Sequence, residues 1–388
     1  MMKNIFKSTI FMLCALSLFT ACSDDRDSNP TLTEPTSFVL NEPAAKNVKI
    51  DLANSTTLSL TCSQPNYGFP AVTRYEVYVS PNADMTDSAK LSTTYTTPKL
   101  DLDAAEVASD LTTLLLNQGK TEADFPMDLP VYFQVRAYMV NTMGNELAGT
   151  SIKSNIVSYN DVHLLFSLPP VTTPDNLYLV GNFCAWDWKK GVTMTPVYDH
   201  PNVFWHMVYI DEKGVKFNSA QSWDGNEVGF AGITVDPSGD LAGEIKDSGD
   251  GNIASSNPGW YLMIVYTSVE GRDVKYNVVF NKPVVNLIGA AVGGWDEGAA
   301  GSEFTVPSAA DGDFVSPALP ALAGNDTDGC VRMYCKIPGN DWWHSEFIVG
   351  IDGNKISYRA MGGDQDRVGC SAGQHVYLNF STDTGKIE

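Results

Sequence analysis

The carboxy-terminal half of the chain contains the same series of short motifs twice. Each copy begins with a strand pattern, a glycine turn and a tryptophan, continues with a strand that carries one basic residue, and ends with a closing strand. The matched pairs are "LYLVGNFCAW" (177–186) with "VNLIGAAVGGW" (285–295), "GVKFNSAQSW" (214–223) with "CVRMYCKIPGNDWW" (330–343), and "GWYLMIVYT" (259–267) with "GQHVYLNFS" (373–381). This repetition predicts two tandem β-sandwiches of about a hundred residues each, an ordinary domain size.

The preceding part of the chain alternates apolar and polar residues, as half-buried strands do. The segments "TTLSLTC", "RYEVYVS" and "VYFQVRA" show this alternation, and turn sequences such as "QPNYG" separate them. One helix is predicted in "DAAEVASDLTTLLLNQG", because Asp103 and Glu106 have capping-box spacing and Gly119 closes the pattern. The segment predicts an immunoglobulin-like or fibronectin type III-like sandwich that acts as a spacer.

The predicted fold class is therefore all-β, with three tandem β-sandwich domains, the first of which contains one inserted helix. We expect the domains at residues 37–160, 161–283 and 284–388, with "NKPVV" as the join between the last two. A chain of 388 residues is long enough for domains of this number and size.

The first 22 residues have the features of a bacterial lipoprotein signal. Lys3 and Lys7 precede the apolar run "STIFMLCALSLF", which is too short to span a membrane comfortably, and "LFTAC" ends at Cys22. We expect Cys22 to be lipidated after cleavage; an ordinary secretory peptide is the alternative. Residues 23–36 are polar and acidic and predict a flexible tether. The sequence "CSDD" (22–25), at the start of this segment, resembles the export tag of lipoproteins displayed on the outer face of the outer membrane.

The charge and the cysteines exclude several classes of partner. With 25 Lys and Arg against 46 Asp and Glu, the net charge is -21, which argues against nucleic acid and against charge-driven docking on anionic lipid. Of the seven cysteines, Cys14 leaves with the signal and Cys22 carries lipid, so an odd number remains and buried free thiols are predicted. The five histidines form no metal motif, and neither a metal nor a cofactor is expected.

Tryptophans in the glycine-rich loops of both repeats are the candidate binding residues. An exposed ring in a loop has a use when something flat and partly apolar lies on it, and the C–H face of a pyranose has that character. On strands, Lys216 and Arg332 point away from their apolar neighbours, so each repeat offers a cation to sugar hydroxyls. The candidates are Trp186, Trp188, Lys216 and Trp223 in the first repeat, and Trp295, Arg332, Lys336, Trp342, Trp343 and Arg359 in the second.

Other tryptophans have a structural explanation. Trp205 and Trp260 lie within strand patterns and are expected in the core. Trp342 and Trp343 are neighbours, and they face opposite ways if the segment is extended. Counting back by twos from Phe347 turns Trp343 inward and Trp342 outward, unless a turn reverses the order.

Together these motifs resemble the SusE and SusF outer-membrane lipoproteins of starch-utilisation systems. The resemblance rests on "TSFVLNEP", "LTCSQPNYGF", "YLVGNFCAWDW", "GGW", "NDWWHSEF", "ISYRAMGGDQDRV" and "GQHVYLNFSTDTG", in this order along nearly the whole mature chain. It implies an immunoglobulin-like domain followed by two carbohydrate-binding modules, each of which holds α-glucan with an aromatic pair and basic residues. It also implies an outer-membrane location and other outer-membrane glycan-uptake proteins as partners.

The resemblance implies binding roles for matching residues in both modules. These are Trp295, Trp342 or Trp343, and Arg359 in the carboxy-terminal module, and Trp186, Trp223 and Lys216 in the middle one. The loop "GNFCAWDW" differs in length from "GAAVGGW", so the two sites need not bind equally, and the resemblance does not fix the sugar.

The predicted function is a non-catalytic, lipid-anchored, cell-surface protein that binds starch or maltooligosaccharides. No nucleophile elbow, phosphate loop or distinct carboxylate pair indicates an enzyme. The alternative is a surface adhesin or assembly protein whose exposed aromatic residues contact another protein or a different glycan.

The predicted anchor can be tested by replacing Cys22 with Ala. This change removes the thiol to which lipid would be attached, so the protein should move from the membrane fraction to the soluble fraction. Fractionation and immunoblotting of cells measure the shift, and a variant that stays with the membranes contradicts the anchor. Cys14→Ala is the matched control, because it alters a cysteine of the segment that is expected to be removed.

Overall fold

The structure, a computed structural model, describes residues 31–388. The predicted signal segment, Cys22 and the first part of the tether lie outside the described residues. The chain divides into two compact units at Pro169 and Pro170. Within residues 31–388 one α-helix, α1 (Ala104–Asn117), interrupts chain that is otherwise built from strands, which confirms the predicted fold class. None of the helices in this part of the chain is long and apolar enough to cross a membrane.

The amino-terminal unit is built around one apolar core. Its strands are β1 (Ile50–Asp51), β2 (Thr57–Thr61), β3 (Thr73–Ser80), β4 (Ala89–Tyr95), β5 (Lys99–Asp103), β6 (Met127–Met139), β7 (Ile152–Lys153) and β8 (Val157–Leu164), with 3₁₀ turns at Leu52–Asn54 and Glu122–Asp124. One sheet has the order β1-β8-β6-β3-β4 with β7 beside β6, and β2 pairs with β5 in a second sheet. Alternate residues such as Leu58, Val77 and Val135 fill the core, as the sequence pattern predicts.

The start of the helix α1 is capped differently from the prediction. The Asp103 carboxylate accepts a hydrogen bond from the Ala105 N–H (2.9 Å), as an N-cap residue should. The carboxylate of Glu106 does not complete a capping box, because it accepts the Ser92 N–H of the neighbouring strand instead. Gly119 follows the helix with φ +88°, the left-handed conformation that ends many helices.

The second unit contains both repeats, and the middle repeat forms two five-stranded sheets. Its strands are β9 (Tyr178–Gly181), β10 (Val192–Thr193), β11 (Thr195–Val197), β12 (His200–Ile210), β13 (Val215–Asn218), β14 (Thr234–Val235), β15 (Ile245–Asp247), β16 (Ile253–Ser255), β17 (Gly259–Glu270) and β18 (Asp273–Asn281), with 3₁₀ turns at Asn182–Cys184, Trp188–Lys190, Phe230–Gly232 and Ala242–Glu244. The sheet orders are β10-β9-β13-β16-β15 and β11-β12-β17-β18-β14.

The carboxy-terminal repeat has a four-stranded and a three-stranded sheet. Its strands are β19 (Val285–Leu287), β20 (Phe314–Val315), β21 (Met333–Cys335), β22 (Glu346–Val349), β23 (Ile356–Tyr358), β24 (Val376–Asn379) and β25 (Thr384–Ile387), with a 3₁₀ turn at Trp342–Ser345. The sheet orders are β19-β21-β22-β23 and β20-β24-β25.

The sheet that contains β12, β17 and β18 is buried on both faces. One face contributes to the core of the middle repeat through Phe204, Val208, Tyr261, Met263, Val265, Val278 and Phe280. The opposite face contributes to a core shared with the carboxy-terminal repeat through Trp205, Met207, Trp260, Leu262, Ile264 and Val279. Two predicted core tryptophans are therefore buried between the repeats, and the Trp205 ring contacts Phe347 (5.8 Å between centroids) and Tyr358 (5.5 Å).

The described cysteines are free thiols. Cys62, Cys184, Cys330 and Cys335 are buried, and Cys370 is half-buried. Burial raises the pKa of Cys62 to about 12, so this side chain stays protonated at neutral pH.

The shared core predicts a large stability loss for Trp205→Ala. Removing a fully buried indole leaves a cavity between the repeats and should lower the free energy of unfolding by about 3–5 kcal/mol. Denaturant unfolding followed by circular dichroism measures the loss. Trp223→Ala is the control, since that ring is 54% exposed in the same repeat and its removal should cost about 0.5 kcal/mol or less. Equal, small losses for both variants would contradict the shared core.

Candidate functional site

Two tryptophan rings form an accessible pair on the carboxy-terminal repeat. The centroids of Trp295 and Trp342 are 5.6 Å apart, and the ring planes are inclined by 30°. Trp295 keeps 44% of its surface exposed, and Trp342 is half-buried. Two rings at this small angle form a shallow aromatic surface, which we name the carboxy-terminal platform.

Glycine residues place the Trp295 ring. The Gly289 N–H donates to the Gly294 carbonyl (2.8 Å), and the Gly294 N–H donates back to the Gly289 carbonyl (3.1 Å), which closes the loop that leads to Trp295. Gly289 has φ +77°, and the Trp295 ring passes 3.1 Å from the position that a Cβ atom would take. A glycine therefore provides both the backbone conformation and the space for the ring.

The 3₁₀ turn Trp342–Ser345 places the second ring. The Trp342 N–H donates to one carboxylate oxygen of Glu297 (3.0 Å), and the other oxygen of that carboxylate pairs with the Lys336 amine (2.5 Å). Glu297 thus links Lys336, a predicted site residue, to the platform residue Trp342. Its charge is already paired in this structure.

Arg332 lies against both rings of the platform. Its guanidinium carbon is 5.8 Å from the Trp295 ring centroid and 5.7 Å from the Trp342 ring centroid. The residue is only 4% exposed, and its Nη1 forms an ion pair with Glu346 (2.5 Å). The sequence predicted an accessible cation on the outer face of the strand. The structure corrects this expectation, because the rings cover the guanidinium and hold it away from solvent.

Two carboxylates complete a charge network with the arginines. Burial raises the pKa of the Glu346 carboxyl above its ordinary value, and the positive charge of Arg332 opposes that shift. A hydrogen bond from Arg367 lowers the pKa of Asp364, which is half exposed. Arg332 and Arg359 come within 3.6 Å and 3.8 Å of Asp364. The network fixes the guanidinium groups in place with little freedom to move.

Trp343 belongs to a different aromatic cluster from Trp342. Its ring lies 5.1 Å from that of Tyr198 in the middle repeat, and the Arg359 guanidinium is 4.7 Å from the Trp343 ring centroid and 4.8 Å from the Tyr198 ring centroid. Counting along a strand predicted that Trp343 faces inward and Trp342 outward. In the structure both are half-buried and have different ring partners, and both lie in a 3₁₀ turn and not on an extended strand. The structure brings Trp342 to Trp295, and it brings Trp343 and Arg359 to Tyr198.

The middle repeat carries a second ring pair. The centroids of Trp186 and Trp223 are 6.3 Å apart, with planes inclined by 38°, and we name these two residues the middle platform. Trp188 was predicted as an accessible loop ring, and the structure corrects this: it is 6% exposed and packs with Val180 and Cys184. Its ring lies 5.2 Å from that of Trp223, so Trp188 supports the platform from within.

Two loops hold the middle platform. Ala185 and Trp186 have φ values of +55° and +60°, which are uncommon for residues other than glycine and are often found at functional sites. In the loop of Trp223, the carboxylate of Asp224 accepts hydrogen bonds from the Asn226 N–H (3.0 Å) and from Asn218 Nδ2 (3.1 Å). These bonds lower the pKa of Asp224 and keep the loop closed.

A depression of about 400 Å³ adjoins the middle platform. Besides the two rings it is lined by Lys213, Lys216, Asp250 and Asn252. Within the described part of the chain, neither lysine takes part in an ion pair, in contrast to Lys336 and Arg332 of the other repeat. Lys216 was a predicted site residue, whereas Lys213, Asp250 and Asn252 were not, because no local pattern distinguishes them from ordinary loop residues.

Two known protein families match most of the chain, and their matches follow one another in chain order. The sequence profile described as "SusF/SusE starch specific CBMs", in which CBM stands for carbohydrate-binding module, matches residues 176–277 and 284–386. The profile described as "SusE outer membrane protein" matches residues 24–136. The class is therefore a protein with tandem carbohydrate-binding modules behind an amino-terminal domain. The chain belongs to the SusF/SusE family, and its location is the outer membrane.

One curated relative and one solved structure show similarity along much of the chain. The outer membrane protein SusF of Bacteroides thetaiotaomicron is 38% identical over 243 residues, which cover 60% of this chain and 47% of the relative. The chain thus spans about half the length of that relative. The crystal structure of SusF from the same organism has 22% identity and a TM-score of 0.43, and the match covers 91% of this chain and 100% of that one.

The close approach of Trp295 to Gly289 yields a prediction with a matched control. A methyl group in Gly289→Ala would meet the ring and displace it, so the environment of Trp295 should change in the near-ultraviolet circular dichroism spectrum. Gly293→Ala has nearly the same backbone strain, since its φ is +75°, but nothing lies within 4 Å of the added methyl. Both variants should lose about 1–2 kcal/mol of stability, because an alanine is strained at a left-handed φ. If both also change the spectrum equally, Gly289 has no special role in placing the ring.

Proposed function

We propose that the protein holds starch or maltooligosaccharides at the cell surface through the two platforms, without hydrolysing them. The observation that carries the proposal is the recurrence of one arrangement. Each repeat that matches the starch-specific module family presents a pair of tryptophan rings with a cationic side chain beside them. Chance surface aromatics would not be expected at the same place in two copies of one motif.

The geometry of the ring pairs suits a curved glucan. The planes within the pairs are inclined by 38° and 30°, so each platform is slightly bent and not flat. The α-1,4 linkages of starch make the chain curve, whereas the β-1,4 linkages of cellulose give a flat ribbon. Successive glucose rings of a curved chain can each lay a C–H face on one tryptophan, while their hydroxyls meet polar groups at the rim.

The polar groups beside the platforms favour binding over hydrolysis. A glycosidase needs two carboxyl groups facing each other across the bond to be cleaved. Next to the carboxy-terminal platform, Glu297 is paired with Lys336 and with the Trp342 N–H, and Glu346 is buried in an ion pair with Arg332. Carboxylates that are held in this way support structure and are poorly placed to transfer protons to a sugar.

Two shallow platforms on one chain should favour polymers over short sugars. One ring pair contributes little affinity after the loss of ligand freedom, so a short oligosaccharide should bind with a Kd of roughly tens of micromolar to millimolar. A long glucan can contact both platforms, and linked sites gain about a hundredfold or more in apparent affinity. We infer that a lipid on Cys22 keeps both platforms at the membrane, where captured glucan would pass to outer-membrane uptake proteins.

Single and double tryptophan variants test the proposal. Trp295→Ala should abolish binding at the carboxy-terminal platform while the melting temperature stays nearly constant, because the ring is 44% exposed. Adding Trp186→Ala should end retention on insoluble starch. Affinity electrophoresis and pull-down on starch measure both effects, with mannan, xylan, levan and cellulose as the comparison glycans.

Two results would contradict the proposal. One is a double variant that still binds starch; the other is a wild-type protein that binds none of these glycans and instead retains another protein, as the adhesin alternative expects. Trp188→Ala is a control that distinguishes a ring that contacts the ligand from a ring that supports the platform. The Trp188 ring is buried, so its loss should lower stability as well as binding at the middle platform.

A further inference from the structure

A hairpin of the middle repeat contacts the turn that carries Trp342. The hairpin joins β11 to β12 through Tyr198 and Asp199, and Asp199 has φ +60°. The Tyr198 N–H donates to the carbonyl of His344 (2.9 Å), which lies within the turn Trp342–Ser345. The Tyr198 ring also contacts the rings of Trp343 (5.1 Å) and His344 (5.8 Å). One residue of the middle repeat therefore meets two consecutive residues of the neighbouring turn.

A continuous series of contacts leads from Tyr198 to the platform. The Arg359 guanidinium lies between the Tyr198 and Trp343 rings, at 4.8 Å and 4.7 Å from their centroids. Its Nη1 reaches one oxygen of Glu346 (3.3 Å). The other oxygen of Glu346 pairs with Arg332, which lies against both platform rings. Each of these side chains is at least half-buried, so a displacement of one is transmitted to the next.

The two ends of the turn Trp342–Ser345 have hydrogen bonds of their own. Glu297 accepts the Trp342 N–H at its start, and the Ser345 hydroxyl donates to the Cys335 carbonyl at its end (2.5 Å). The contacts of Tyr198 hold the middle of the turn. Three further contacts reach the same two residues: the His200 ring of the same hairpin lies 5.8 Å from the His344 ring, His344 Nδ1 lies 3.1 Å from Asn340 Oδ1, and Arg359 lies over the Trp343 ring.

We infer that Tyr198 is a positioning residue of the carboxy-terminal platform, so that the middle repeat builds part of the binding site of its neighbour. The inference rests on the proposed function, because it assigns to Tyr198 an effect on glucan binding at that platform. Tyr198 acts through Trp343, His344 and Arg359 and touches no sugar. The carboxy-terminal platform is then complete only when both repeats are folded together.

The test uses the full chain with the middle platform silenced by Trp186→Ala and Trp223→Ala. In this background, Trp295 and Trp342 remain the tryptophan pair with closely spaced rings among the described residues, and their coupled absorption gives an exciton signal in circular dichroism. Tyr198→Ala should weaken this signal and lower maltooligosaccharide affinity by roughly fivefold, the order expected for one lost cation–π contact. Tyr198→Phe keeps the ring and should restore both readouts.

Tyr377→Ala is the matched control. Tyr377 is also half-buried and lies beneath a cation, Lys386 (5.5 Å), but it belongs to the three-stranded sheet of the same repeat. It should lose similar stability and keep the exciton signal and the affinity.

The outcomes separate the inference from the proposed function. If Tyr198→Ala leaves the exciton signal and the affinity unchanged, or if Tyr377→Ala reduces them equally, the positioning role is wrong while glucan binding stands. If the silenced background binds no glucan before Tyr198 is changed, the proposed function fails at this platform. A loss of exciton signal in Tyr198→Ala that Tyr198→Phe restores would then still support the positioning role.

Discussion

The sheet formed by β11, β12, β17, β18 and β14 is the element on which the second unit depends. Apolar burial contributes about 25 cal/mol for each Å² removed from water, and this sheet buries apolar side chains on both faces. Phe204 packs within the middle repeat, and its neighbour Trp205 packs against the carboxy-terminal repeat. The two repeats therefore share stability although their sequences suggest separate modules. The loops of both repeats are therefore positioned by the same sheet.

The two platforms differ in how their cations are held. Arg332 and Glu346 form a buried ion pair next to the carboxy-terminal rings, and removing one partner of such a pair usually costs about 3–5 kcal/mol because a charge is left unpaired. The rings there rest on a rigid support. At the middle platform Lys216 takes part in no ion pair among the described residues and keeps its flexible stem. The first arrangement favours a preformed site, and the second leaves the lysine side chain free to adjust to a ligand.

Much of the fold could be predicted from the sequence because its signals are local. The alternation of strands, the N-cap Asp103 and the glycine turns before Trp186 and Trp295 depend on residues that are close together in the chain. The orientation of Trp342 was harder to predict from the sequence. The prediction assumed an extended strand, in which side chains alternate between two faces, whereas the segment forms a 3₁₀ turn. The role of Tyr198 could not be predicted at all. Its partners lie more than a hundred residues away in the chain, and the periodicity of a sequence does not indicate contacts over that distance.

One long-range feature was nevertheless present in the sequence. The closing strands of the two repeats are "GWYLMIVYT" and "GQHVYLNFS", which match in order but not in pattern. The first is apolar at nearly every position, which is typical of a strand covered on both faces, and β17 is buried in this way. The second alternates, and β24 buries Val376 and Leu378 while Tyr377 and Asn379 are half-buried. Two copies of one motif thus have different roles in packing: the middle copy supplies a layer to both cores, and the other supplies a layer to one.

A repeat in sequence consequently does not make each copy an independent folding unit. The carboxy-terminal repeat shares its core with the middle repeat. The inferred dependence of the carboxy-terminal platform on Tyr198 agrees with this asymmetry, because a neighbour that contributes to the core of a repeat is also close enough to support one of its loops.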